Sequence, residues 1–283
     1  MELRIKKLNQ QQLHLLVEWA RREGWNPGPD DASAFFSADP EGHYGYFEDE
    51  KMIAGGSLIS YQGQFGFMGL FIVDPDYRGK GIGRKLWYER RNLLINRLQP
   101  GSPIGMDGVV AMQPFYEKGG FKTAFRDERY MRKAEVFEIQ PNVSKVLPED
   151  YSHILRYDRH CFGFERELFM RSWIALPGLK ALKYVSEGEL GGFVLMRKAD
   201  KGFKICPLFA QNEKIAESLY LACLSLVPGE DVFIDIPVSN QKAVALTQRM
   251  GAQYVFECAR MYYGTAPSLP LDQIFGITTF ELG

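Results

Sequence analysis

"DPDYRGKGIGRKLW", residues 74–87, joins an apolar run to a helix-like segment through three alternating glycines, Gly79, Gly81 and Gly83. Glycines this close before a helix let successive backbone N–H groups converge on an anion, and the helix N-terminus adds partial positive charge. Two familiar phosphate loops are excluded. A Walker A loop ends in Gly-Lys-Ser/Thr, whereas Arg84 and Lys85 follow Gly83. A dinucleotide fingerprint would need glycine at position 84 or 86, where Arg84 and Leu86 stand. The missing Cβ atoms allow close approach of a ligand to the backbone, and Arg78 and Lys80 supply full charge.

Composition sets the context. The 283 residues carry 34 Lys+Arg against 35 Asp+Glu, and the basic residues are spread along the chain. This balance argues against a nucleic-acid or anionic-membrane partner. The N-terminal "MELRIKKLNQ" has no apolar signal region, and "SLYLACLSLV", the longest greasy run, is too short to span a bilayer. A cytoplasmic protein is expected. Cys161, Cys206, Cys223 and Cys258 form no CxxC pair and read as reduced, mostly buried thiols. His14, His43, His153 and His160 show no ligand spacing, so no metal is expected.

Outward from the loop, the periodicity predicts a strand at "ELRIKKL" and a helix over 10–23 with Leu13, Leu16, Val17 and Ala20 on one face. A short helix near "DDASAFFS", with Asp available as N-cap, precedes three strands at "GHYGYFE", "MIAGGSLISY" and "GFMGLFIVD". The helix after the loop is expected over 84–98, burying Leu86, Trp87, Leu93, Leu94 and Leu98. "SPIGMDGVV" reads as a strand, "QPFYEKGG" as a short helix closed by glycine, and "FKTAFRDERYMRK" as a strand pair. The stretch "EIQPNVSKVLPED" reads as a linker, and a helix follows at "EDYSHILRYDRHCF". The chain also repeats itself: Gly251, Phe256 and Arg260 match Gly120, Phe125 and Arg129 at an offset of 131 (251 − 120). Two copies of one α+β unit, residues 1–137 and 138–283, account for this.

The pattern V-x-P-x-x-R-G-x-G-I-G, read through Val73, Pro75, Arg78, Gly79, Gly81, Ile82 and Gly83, resembles motif A of the GNAT (GCN5-related N-acetyltransferase) superfamily. "QPFYEKGGF" resembles the same family's later helix, and "EGWNPG", "YDRHCFGFER" and "IFGITTFELG" resemble a two-domain bacterial subfamily. The resemblance implies tandem α+β folds, each a mixed, mostly antiparallel twisted sheet flanked by helices. It implies acetyl-CoA as acyl donor, with the diphosphate on the loop from Arg78 through Lys80 and Ile82 to Arg84 and the pantetheine along Phe71, Ile72 and Val73. It also implies that Tyr116 protonates the departing thiolate. The asparagine that many members carry before this helix is absent from "VVAMQ".

Acyl transfer to an amine further requires an oxyanion stabiliser and a neutral nucleophile. A backbone N–H within Phe71–Val73 suits the first requirement. Neutralising a lysine-like amine at pH 7 costs roughly 4–5 kcal/mol, so a base matters. "FGFMGLFIV" holds no carboxylate; Asp107 on the following strand is the nearest, alternatively an Asp-Gly turn residue, with a water chain as the other route. Trp25 and Asn26 are candidates to grip the acceptor, a small-molecule or protein amine; the alternative for Trp25 is to anchor its own loop. In the second copy Thr247 stands where Tyr116 does in the first, and "AQNEKIAE" offers Glu213 in place of a glycine loop. That copy is expected to be degenerate. Two functions remain open: an N-acetyltransferase, or a coenzyme A-binding regulatory module.

Overall fold

The computed structural model describes residues 3–283. Asn9 starts the first helix with a reciprocal cap, accepting from the Gln12 N–H at 2.9 Å while the Gln12 side chain accepts from the Asn9 N–H at 2.9 Å. The first half runs β1 (Ile5–Lys7), α1 (Gln10–Arg22), α2 (Asp31–Ala38), β2 (His43–Glu48), β3 (Lys51–Tyr61) and β4 (Phe65–Val73). It continues through α3 (Ile82–Ile95), β5 (Ile104–Val109), α4 (Gln113–Lys118) and β6 (Lys122–Lys133). The second half opens with β7 (Val143–Lys145), α5 (Tyr151–Phe162), α6 (Glu167–Ile174), β8 (Lys180–Ser186), β9 (Glu189–Lys198) and β10 (Phe203–Ala210). It closes with α7 (Glu213–Ser225), β11 (Asp231–Pro237), α8 (Gln241–Arg249), β12 (Gln253–Tyr263) and β13 (Ile274–Gly276).

Among the described residues, thirteen strands join one mixed sheet, in the order β1-β2-β3-β4-β5-β12-β6-β11-β10-β9-β8-β7, with β13 on β10. The order is a palindrome of two equivalent halves that have exchanged a strand. The second half's β12 pairs with β5, and the first half's β6 pairs with β11. At the centre β6 and β12 run antiparallel, and Asp127 faces Cys258, the residue 131 positions later. The pseudo-two-fold axis passes there.

Two buried ion pairs join the exchanged strands to their hosts. Arg260 of β12 donates to both carboxylate oxygens of Asp107 on β5, at 2.7 and 2.9 Å. Arg129 of β6 does the same to Asp235 on β11, at 2.6 and 2.8 Å. Burial pushes Asp235 upward, but Arg129 and Lys204 outweigh it and bring the carboxyl down to about 2. Asp127, on the axis, has no such partner. Burial, with the nearby Asp107 carboxylate, raises its carboxyl well above the usual range.

The local expectations need four adjustments. "FKTAFRDERYMRK" forms one twelve-residue strand rather than a pair, because its partners arrive from the second half. The expected linker contains β7, which pairs with β8. The loop helix occupies Ile82–Ile95 and buries Leu86, Trp87, Arg90 and Leu94, leaving Leu93 and Leu98 half-buried. Before α2, Asp30 caps nothing through its side chain, whereas Asp31 accepts from the Gly28 N–H at 2.8 Å. The first helix buries Leu13, Leu16, Val17 and Ala20 as its periodicity predicts. The four cysteines are free and buried.

Candidate active site

Strands β4 and β5 run parallel and pair only at Gly66–Ile104 and Phe67–Gly105. Beyond Phe67 they diverge. The cause lies in β4: an extra residue opposite Gly56 makes a bulge between Gly69 and Ile72, with Leu70 in the left-handed region at φ 48°. The resulting V opens into a cavity of about 600 Å³. Met68–Val73 form one wall, and Met106, Asp107 and Val109 form the other.

The wide end of the V terminates on the glycine loop. Gly79 and Gly81 have φ of 76° and 77°, and a Cβ built on either would meet nothing within 4 Å. Gly83 is glycine for a different reason: its Cβ would lie 3.0 Å from Val73 Cγ2, so the helix could not pack as closely on the strand. Gly81 is the N-cap of α3 and offers no side chain, and the first turn has no acid. The amide donors at this helix start therefore have no capping side chain to compete with an anion. Arg78 donates from Nε to the Val73 carbonyl at 2.9 Å and pairs with Glu23, which keeps it at the rim. Arg84 lines the cavity; Lys80 instead donates to the Asp76 carbonyl at 2.8 Å, and Ile82 packs among Tyr46, Ile53 and Leu86.

Tyr116 forms part of the cavity wall from α4. Its ring stacks on Trp87 at 5.9 Å, and a Cβ on Gly108 would come within 3.0 Å of it. Gly108 thus serves packing within β5, so Asp107-Gly108 is no turn. Burial pushes the Tyr116 hydroxyl up to about 12, with Arg90 pulling in the opposite direction, so the phenol is protonated at neutral pH. Asp107 lines the cavity, but both its oxygens accept from Arg260. Burial raises its carboxyl to about 6 against the pull of that guanidinium. Trp25 also lines the cavity, and its carbonyl accepts from Arg129 at 2.9 Å. Asn26 does not. Its amide is consumed by Lys201, donating to that carbonyl at 3.1 Å and accepting from that N–H at 2.7 Å, so an acceptor contact through this side chain is corrected to a tie between the halves.

The degenerate copy is expected from the sequence to pack on the first and shape its acceptor cleft, but sequence reasoning does not name the residues that do so: Phe256 and Cys258 of β12, and Phe280 and Glu281 of the C-terminal segment, complete the wall. The single acid inside the apolar "TTFELG" is the one signal that pointed to it. Burial holds the Cys258 thiol well above its ordinary range, so it is no nucleophile. His43 is a core residue, between Ser57 Oγ and the Phe35 carbonyl at 3.1 Å each, and burial lowers it to about 4.

The second half repeats the plan with its V filled. β13 pairs with β10 at Leu208 and Phe209, and the Ile277 N–H donates to the Asp235 carbonyl of β11 at 2.8 Å. The chain's own segment thus lies between the two diverging strands. Helix α7 is capped by Asn212, which accepts from the Ile215 N–H at 3.1 Å, and Glu213 in its first turn pairs with Arg249 at 2.6 Å. Thr247 is buried and donates to the Val244 carbonyl at 2.9 Å.

The comparisons with known proteins also find two related domains in the chain. Residues 10–121 match the acetyltransferase (GNAT) family, and residues 154–276 match an acetyltransferase (GNAT) domain. The chain is a tandem GNAT-superfamily protein. This GNAT protein is 28% identical over 281 residues to the holothin acyltransferase of Pseudoalteromonas sp. (strain SANK 73390), a match covering 98% of the chain and 94% of the relative. An uncharacterized N-acetyltransferase of Bacillus subtilis (strain 168) is 24% identical over 240 residues, covering 81% and 82%. A solved structure from Pyrococcus horikoshii superposes with a TM-score of 0.82 at 21% identity, covering 99% of this chain and 96% of that one. A tandem GNAT protein from the clavulanic acid biosynthesis pathway gives 0.67 at 15%, covering 94% and 100%. These structures speak to the fold alone. The two domain matches and the acyltransferase relative support acyl transfer, and GNAT enzymes draw the acyl group from an acyl-CoA. Among the described residues, no helix is long and apolar enough to cross a membrane, and no cluster of His, Cys, Asp and Glu could hold a metal.

Proposed function

We propose that the protein is an acetyl-CoA-dependent N-acetyltransferase acting on the primary amine of a small, largely apolar molecule, with Tyr116 as general acid. One observation carries the reading. The halves share a sheet plan, yet only the first keeps its V open and ends it on a helix start without a capping side chain. The division at 137/138 is then functional: residues 1–137 bind the donor, and residues 138–283 are a degenerate copy that lends β12 and the C-terminal segment to the acceptor wall.

The backbone from Gly79 to Arg84 holds the diphosphate, with the charges of Arg78 and Arg84 beside it. The free edge of β4 at Phe71–Val73 hydrogen-bonds the pantetheine amides, and an N–H there polarises the thioester carbonyl. Bound acetyl-CoA supplies the activated acyl carbon and a thiolate leaving group. Tyr116 gives its proton to that sulfur. A phenol raised to about 12 is a weak acid toward a thiolate, so transfer is driven by the proton that the newly acylated nitrogen releases at the same stage. Trp25, Phe256 and Phe280 enclose the acceptor, which favours a compact amine over a protein side chain. The relative named for acyl transfer to holothin supports a small molecule as well.

Thiol release from acetyl-CoA across a panel of small primary amines tests the proposal. Turnover with at least one apolar amine is expected. Coenzyme A binding without thiol release from any amine would make the protein a binding module instead.

A further inference from the structure

Among the described residues the first half supplies the acceptor chamber with no free carboxylate: β4 has none, Asp107 is engaged by Arg260, and Glu23 at the rim is paired with Arg78. The second half does supply one. After β13 the chain crosses back over the first half and is tied down on both sides of Glu281. Arg166 donates to Thr278 Oγ1 at 2.7 Å and to the Gly283 carbonyl at 2.6 Å. The Tyr61 hydroxyl donates to the Leu282 carbonyl at 2.8 Å. The Glu281 carbonyl lies so close over Gly69, at the β4 bulge, that a Cβ there would be 1.8 Å away. The segment is held where the V opens.

Glu281 is 4% exposed and lines the same cavity as Tyr116, and its Oε2 has no hydrogen-bond partner among the described residues. A buried carboxylate oxygen without a donor is costly, and a cationic ligand would satisfy it. The charges that act with Glu281 are Asp107 on β5, Asp31 on α2 and Arg129 on β6. Each is already paired, Asp107 with Arg260, Asp31 with Arg197 and Arg129 with Asp235. Cys258 and Tyr116, the other titratable groups of this end of the cavity, are neutral at pH 7. Glu281 is the acid left to meet a cation.

Resting on the acetyltransferase reading, we infer that Glu281 receives the acceptor's ammonium group and removes its first proton. The protons balance. Glu281 takes one proton, freeing the nitrogen lone pair to form the N–C bond. The C–S bond breaks, the sulfur gains the Tyr116 proton, and the nitrogen's second proton restores the phenol. Glu281 then releases its proton to solvent. The specificity that follows is for amines that are cations at neutral pH.

Glu281→Gln tests this with two amines, benzylamine, a cation at pH 7, and aniline, which is uncharged there. The variant should lose about 10²-fold in kcat/KM on benzylamine, and at most a few-fold on aniline. Coenzyme A affinity should hold, and Glu281→Asp should restore part of the loss. An undiminished rate on benzylamine, or an equal loss on both amines, overturns the inference. Calorimetry on the coenzyme A-loaded protein gives an independent reading. The wild type should prefer benzylamine to benzyl alcohol by about ten-fold or more, and Glu281→Gln should lose that preference. If the wild type released no thiol from either amine, the acetyltransferase reading would fail, and this preference would still decide the role of Glu281.

Discussion

Replacing Asp107 by alanine leaves Arg260 buried among Phe67 and Phe125 with its guanidinium unpaired. The lost bond is bidentate, at 2.7 and 2.9 Å, and both side chains are almost wholly excluded from water. Breaking one partner of such a pair costs about 3–5 kcal/mol, most of it the desolvated charge left behind. A chain of 283 residues has an unfolding entropy near 0.6 kcal/mol per degree, so melting should fall by about 5–8 °C. Removing both charges with Asp107→Leu and Arg260→Met leaves no stranded ion and should recover to within about 2 kcal/mol of wild type. Thermal melts and urea titrations of wild type, Asp107→Leu, Arg260→Met and the double variant give the coupling, expected at about 2 kcal/mol or more. Single losses that add within about 0.5 kcal/mol would refute the reasoning. So would an Asp107→Ala protein that melts like wild type but has lost acyl transfer, since Asp107 would then serve the acceptor rather than the strand exchange.

Gly81→Asp introduces a side chain at φ 77° and a negative charge at the helix start, and coenzyme A binding should fall below calorimetric detection. The wild type should bind one coenzyme A per chain; two equivalent sites would contradict a V filled by β13. Tyr116→Phe should lower kcat by about 10²-fold with donor affinity held within a few-fold, and Thr247→Val should leave turnover unchanged. The carboxyl of Asp127 titrates higher in the folded state than when unfolded, because burial disfavours its charge. Above about pH 4 the unfolded chain therefore gains from ionisation and the folded chain does not, so this group costs stability as pH rises. Asp127→Asn should be more stable than wild type at pH 7 to 8, with the difference shrinking toward pH 4; urea midpoints independent of pH would refute it.

The loop at 78–83, the helix after it and the position of Tyr116 were legible because their signals are local. Three glycines, an arginine and a proline at fixed spacing specify a backbone shape wherever they occur. The repeat was legible for a similar reason, since its matches share one offset. What the spacing could not convey is which strand pairs with which. An alternating apolar segment such as 122–133 fits an edge, a hairpin or the centre of a sheet, and only its partners decide. Asp107 reads as a free carboxylate until Arg260, 153 residues away, is brought across from it. Asn26 likewise reads as a substrate ligand until the chain folds Lys201 against it. Glu281 stands out only as the single acid of "TTFELG", and the return of the chain after β13 brings it to the first half's chamber. Short-range propensity made the donor loop, while long-range pairing and the burial of charge built the acceptor wall and filled the second V.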